Sequence, residues 1–178
     1  PSLQNLDNFL VGMMLADTEA KPLGNFAATV LGANTAAVAF VDDEYGRVTA
    51  KSFGESFSSA GGNVTSEIPI PTGPTDFRNE ALRIATETPD VVYLIHRGGY
   101  DLAIETLRDA GYEGRILSGS AALVAGDITD AAAEGAGMII STIGSPEARA
   151  QFRGRYEERY LEKLPAESAL ISYAGTEV

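Results

Sequence analysis

The sequence contains no cysteine and only one histidine, His96, among its 178 residues. The first absence excludes a disulfide framework, thiolate catalysis and every cysteine-ligated metal site, since each needs a sulfur donor. The second leaves no histidine-rich zinc constellation, and a Ser-His-Asp triad would have to be built around His96 alone. Positive charge is scarce too: 13 Lys and Arg stand against 25 Asp and Glu, a formal charge of −12, and the basic residues are scattered. Nucleic acids and anionic membranes are held by clustered cations, so neither is an expected partner. No apolar run approaches the roughly 20 residues of a membrane-spanning helix. The opening residues lack the charged, apolar, small-residue order of a signal peptide.

What remains is an ordinary core-forming composition, 44% hydrophobic with a mean hydropathy of −0.02. A chain of this length has enough apolar surface for one packed domain. Short β-type runs at Phe9–Met14, Ala36–Val41, Val64–Ile70, Val91–Ile95, Arg115–Leu117 and Gly137–Thr142 alternate with helical patterns. Such alternation predicts an α/β fold: a three-layer αβα sandwich around a mainly parallel, doubly wound sheet. Val91–Ile95 and Met138–Ile140 are apolar on both faces, which predicts central strands covered by helices on each side.

Helical spacing of i, i+3, i+4 appears at Leu23, Phe26, Ala27, Val30 and Leu31, and again at Ala50, Phe53, Phe57 and Ala60. It recurs at Phe77, Ala81 and Ile84, at Ala103, Leu107 and Ala110, and at Phe152, Tyr156 and Tyr160, where the aromatic face is expected to pack. Gly32, Gly61-Gly62 and Gly111 follow helical segments as left-handed caps do, and Ser145-Pro146-Glu147 reads as a helix start. Pro71-Thr72-Gly73-Pro74 leads an extended chain into a helix opening near Asp76. Ala131–Ala136 reads as close packing. There is no linker or repeat; residues 1–178 read as one domain or a little more, with ends that look cut.

Ligands of open parallel sheets sit outside the carboxyl ends of the strands, so the turns there are the first candidates. The first is Asp42-Asp43-Glu44-Tyr45-Gly46, with its following helix expected near Gly46. Tyr45 can stack on a ligand and hydrogen-bond to it, and Glu44 adds negative charge. Carboxylates gathered here could also hold Mg²⁺ for phosphotransfer, but the later strands end in His96, Ser118 and Ser141 rather than the Asp and Lys such a site needs. In His96-Arg97-Gly98-Gly99-Tyr100, two glycines let backbone N–H groups approach a ligand, and Arg97 offers a planar fork for a carboxylate. Neither glycine-rich nucleotide signature is present. Ser118-Gly119-Ser120 supplies two hydroxyls but fails the nucleophile-elbow pattern. A plain alternative stands beside each: an acidic helix cap, a surface ion pair, and turn chemistry.

Taken in order, several segments resemble the leucine/isoleucine/valine-type family of periplasmic solute-binding proteins. They are Val41-Asp42-Asp43-Glu44-Tyr45-Gly46-Arg47, the Phe53/Phe57 helix closing at Gly61-Gly62, Asp76-Phe77, Pro89-Asp90-Val91-Val92-Tyr93, Ala110-Gly111-Tyr112 and Ala133-Glu134-Gly135. The resemblance implies the second lobe of a two-lobed receptor for an ABC importer. Such a receptor works outside the cytoplasm, binds a small amino acid or organic acid, and has neither catalysis nor cofactor. Its partners would be the importer's membrane subunits and a first lobe absent from this chain. Tyr45 matches the family's ring in the acidic turn, and His96 or Arg97 falls where a second aromatic contacts ligand. Ser120 falls near the carboxylate that holds an amino acid's ammonium. That last position departs from the pattern, because a hydroxyl cannot neutralise an ammonium unless Glu44 or Asp43 substitutes. Other readings are a cytoplasmic ligand-sensing regulator of the same fold and an enzyme using Glu44 as base.

Overall fold

The computed structural model describes residues 16–71, 76–122, 138–140 and 146–161. Two compact units divide the chain, one spanning Ala16–Ser141 and the other combining 1–15 with 142–178. In the larger unit, five strands form one sheet in the order β2-β1-β3-β4-β5: β1 (Thr35–Val41), β2 (Asn63–Ile70), β3 (Val91–Ile95), β4 (Arg115–Ser118) and β5 (Met138–Ile140). Every described pair is parallel. Parallel neighbours need a crossover, which α2 (Glu44–Ser59), α3 (Arg78–Glu87) and α4 (Tyr100–Asp109) supply between successive strands, while α1 (Ala16–Thr29) precedes β1. The chain runs outward from β1 to β2, then returns to place β3 on the other side of β1. The order therefore reverses between β1 and β3, opening a crevice at their carboxyl ends.

Each strand contributes alternate side chains to the two faces of the sheet. From β1 and β3, Ala37, Ala39, Val92 and Leu94 join Ala81, Ile84, Tyr100, Ile104 and Leu107 of α3 and α4 in one core. Ala36, Val38, Phe40, Val91, Tyr93 and Ile95 join Ala20, Leu23, Ala27, Ala50, Phe53 and Phe57 of α1 and α2 in the other. The three layers anticipated from the sequence are thus helices, sheet and helices. The Phe53 ring stacks on Phe57 at 5.6 Å and meets Tyr93 at 4.6 Å. Each such ring, buried completely, stabilises the fold by roughly 1.5–3 kcal/mol.

The predicted glycine stops hold, since Gly32, Gly61 and Gly111 adopt φ of +68°, +98° and +90°. Three boundaries differ. Helix α1 begins at Ala16 rather than near Leu23 and continues through Pro22, whose missing N–H disguises the first turns in the sequence. Helix α2 begins at Glu44, two residues before Gly46, with Asp43 of the acidic turn as its cap. Strand β5, expected to be central, stands at the end of the described sheet with β4 beside it.

In the other unit, α5 (Pro146–Tyr160) starts at its proline as expected. Its Tyr156 and Tyr160 rings lie 4.7 Å apart, but Tyr160 is 56% exposed rather than packed away. Phe9–Met14, Pro71–Pro74 beyond Pro71, Ala131–Ala136 with Glu134, Ser141 and Ser145 lie outside the described residues.

Candidate functional site

The turns after β1, β3 and β4 are neighbours because their strands are adjacent and parallel. They line one edge of the sheet and straddle the crevice. At the end of β1, Asp43 has extended backbone (φ −133°, ψ −179°) and caps α2: its Oδ1 accepts the Gly46 N–H at 2.8 Å. A Cβ on Gly46 would lie 1.9 Å from the Val41 carbonyl oxygen, so the turn closes this tightly only on glycine. The other carboxylate oxygen of Asp43 accepts from Arg97 Nε at 2.7 Å, across the reversal in strand order. The Arg97 guanidinium also lies 4.8 Å from the centre of the Tyr45 ring, within cation–π range. Asp43 and Tyr45 thus hold Arg97 from the opposite side of the crevice.

The electrostatics follow from that geometry. Partial burial pushes the Asp43 carboxyl up, but the Gly46 N–H and the Arg97 guanidinium outweigh it and hold the group below the usual 3.8. Burial raises the Tyr45 phenol above its usual 10.0, helped by the negative charge of Glu19 and opposed by Arg97. Tyr45 therefore keeps its proton near neutral pH and can both donate and accept. Asp42 is used elsewhere, pairing with Arg47. With Asp42 and Asp43 each paired to an arginine, the Mg²⁺ reading of this acidic turn loses its ligands. Glu44 is exposed on the first turn of α2, where a negative charge favours the helix.

At the end of β3, the buried Tyr100 ties the turn together. Its hydroxyl accepts the His96 N–H at 2.9 Å and donates to the His96 carbonyl. The His96 ring is half-buried, edge-on to Tyr100 at 6.3 Å, with Nδ1 against the Gly98 carbonyl. His96 and Gly98 therefore shape the turn, and Arg97 is the side chain they present, 59% exposed.

At the end of β4, Ser118 must be removed from the candidate set. It is 0% exposed, and its hydroxyl donates to the Leu94 carbonyl at 2.9 Å, tying β4 to β3. Gly119 and Ser120 are placed differently. Both the N–H and the hydroxyl of Ser120 donate to the carboxylate of Glu19, the hydroxyl at 3.1 Å. A Cβ on Gly119 would meet that carboxylate at 3.0 Å, so glycine allows the close approach. Glu19, on α1, is only 7% exposed. Its charge reaches Tyr45 as well as Tyr93, whose phenol burial drives far above its normal range with Glu19 adding to the effect.

The carboxylate beside Ser120 is therefore neither Glu44 nor Asp43 but Glu19, 101 residues away in sequence. A signal for it exists: Glu19, Leu23 and Ala27 share one buried stripe at i, i+4, i+8, and a carboxylate in an apolar stripe needs a reason to be there.

The family profile of the periplasmic binding proteins matches residues 4–178, and the chain belongs to that family. It is a family of binding proteins, not enzymes, and the exposed Glu44 is not a base in a closed pocket. Solved structures share the fold. A leucine-binding protein from Thermotoga maritima superposes with a TM-score of 0.71 at 22% identity, covering 94% of this chain and 49% of that one. A solute-binding protein of an ABC transporter from Rhodopseudomonas palustris in complex with 4-hydroxybenzoate gives 0.73 at 19% identity, covering 94% and 48%. Another from the same species, in complex with 3,4-dihydroxybenzoic acid, gives 0.68 at 19%, with the same coverage. The chain thus spans about half the length of these proteins. No curated protein matches it.

Proposed function

We propose that this chain is the second lobe of an extracytoplasmic solute-binding component of an ABC importer. In this reading residues 1–178 form one lobe, the first lobe lies elsewhere in the protein, and the importer's membrane subunits are its further partners. The ligand is a small amino acid or a carboxylate-bearing organic molecule, held between the lobes. The observation that carries the reading is the Asp43–Arg97–Tyr45 constellation across the crevice between β1 and β3. Asp43 engages Arg97 through Nε, leaving the two terminal nitrogens of the fork for a ligand carboxylate, with the Tyr45 ring beneath it. Glu44, His96, Gly98, Gly119 and Ser120 complete the rim, with Arg97 and Tyr45 as direct contacts.

Closure of the two lobes is driven only by contacts made in the closed state, so a single lobe binds weakly. Among neighbours of the same fold are a leucine-binding protein and one in complex with 4-hydroxybenzoate, and both of these ligands carry a carboxylate of the kind proposed at Arg97. The test is calorimetry on the full-length protein with a panel of aliphatic amino acids and benzoates. A ligand should be found among them, and Arg97→Ala should weaken it by about 1.5–3 kcal/mol if a charged hydrogen bond is lost. An unchanged dissociation constant refutes the assignment.

A further inference from the structure

Arg97 is held at both ends, and the two grips differ in strength. Its head meets the Asp43 carboxylate and the Tyr45 ring, but the side chain is 59% exposed, where an ion pair is screened and worth little. Its backbone end is fixed by a buried group. Pairing of β3 with β1 ends at Ile95, opposite Phe40, and His96, one residue beyond, turns to Tyr100 instead. The Tyr100 hydroxyl accepts the His96 N–H at 2.9 Å and donates to the His96 carbonyl. One oxygen of a fully buried side chain thus satisfies both a donor and an acceptor of the residue preceding Arg97. Gly99, with φ +69°, is the cap that starts α4, so the clip closes the turn onto the first residue of that helix.

Resting on the reading above, we propose that Tyr100 is a positioning residue for ligand binding: its hydroxyl, buried beneath the turn, sets where Arg97 presents its terminal nitrogens. A two-point grip on a carboxylate needs two well-aligned N–H···O bonds, which weaken steeply with misalignment. Binding constellations tolerate only about 0.5 Å of drift. Without the hydroxyl, the N–H and carbonyl of the half-buried His96 would have to swing out to water to be satisfied, carrying the Arg97 backbone with them. Asp43 and Tyr45 do not restore the aim, because they hold the head of a long side chain and not its root. The His96 ring stands edge-on to the Tyr100 ring at 6.3 Å, and Tyr100→Phe keeps that packing while deleting the hydroxyl alone.

The test is a double-mutant cycle in the full-length protein, read by calorimetry with leucine or 4-hydroxybenzoate, whichever it binds. Tyr100→Phe should weaken the ligand about tenfold when Arg97 is present, and by less than about twofold when Arg97→Ala has already removed the fork. A purely structural role gives the same factor in both backgrounds, and that result overturns the inference, as does an unchanged affinity in Tyr100→Phe. Amide hydrogen exchange on the unaltered protein adds a check that needs no variant to fold. The His96 N–H should exchange as slowly as the amides of β3, and exchange at the rate of an open loop overturns the clip. If Arg97→Ala weakens the ligand while Tyr100→Phe does not, the carboxylate reading stands and only the positioning role falls. If neither probe binds, or Arg97→Ala changes nothing, that reading falls and the inference with it.

Discussion

The two edges of the sheet use carboxylates in opposite ways. At the amino edge, Asp90 is exposed, yet its Oδ2 accepts the N–H groups of Asn34 and Thr35 at 2.8 and 3.0 Å and the Thr35 hydroxyl at 3.1 Å. The Thr35 hydroxyl lies 3.0 Å from the Asp90 N–H, which stitches the start of β1 to the start of β3. At the carboxyl edge, Asp43 meets an arginine and Glu19 a serine, each from the turn after another strand. Exposure alone would rank these carboxylates wrongly: the outermost is structural, and the most deeply placed lies at the crevice. Both kinds reach distant segments, Asp90 chiefly to the backbone N–H groups that open β1 and Asp43 to the Arg97 side chain.

The comparison is broken most sharply at Gly46, because its clash is with backbone and cannot be relieved by a rotamer. Gly46→Ala should cost about 3 kcal/mol of folding stability by chemical denaturation and should also disturb the Asp43 cap. At the opposite edge, Asp90→Ala should cost about 1 kcal/mol, the worth of a solvent-facing carboxylate capping backbone donors, and should leave ligand affinity unchanged in the full-length protein. That contribution has a pH signature. The Asn34 and Thr35 N–H groups hold the folded Asp90 carboxyl below its ordinary 3.8. The stabilisation is therefore full above about pH 5 and is lost as the pH falls through the carboxylate range to below the folded value. The stability gap between wild type and Asp90→Ala should close on acidification. The smallest effect is expected at Arg97. Its ion pair with Asp43 is largely exposed, so Arg97→Ala should change folding stability by under about 0.5 kcal/mol. Stability and binding would then separate cleanly between the two edges.

The strands and helices of the sandwich were legible because apolar periodicity and glycine stops are local signals. Val91–Ile95 could be read as central because both its faces are apolar, and the structure places it between β1 and β4. Met138–Ile140 has the same pattern but a different place, since a run of three residues cannot say how many neighbours it has. The candidate turns could be located as strand ends. The pairing of Arg97 with Asp43 could not, because 54 residues separate them and nothing local says which arginine faces which acid. Ser118 and Ser120 are identical in sequence terms; only the pleat of the sheet turns one inward to Leu94 and leaves the other beside Glu19. Glu19 escaped notice because Pro22 obscures the helix that carries it.

Strand β1 is built thinly, with Ala36, Ala37 and Ala39 all buried at its middle. Bulk on the α1 and α2 side comes instead from Phe53, Phe57 and Tyr93. Enlarging any of the three alanines would wedge a helical layer outward, in a core already packed to density. Because the acidic turn begins where this strand stops, such a change would shift Asp43 and Tyr45 from a distance, with no altered atom near them. A survey of natural variation should therefore treat the thickness of this strand as part of what positions that turn and not as inert filling.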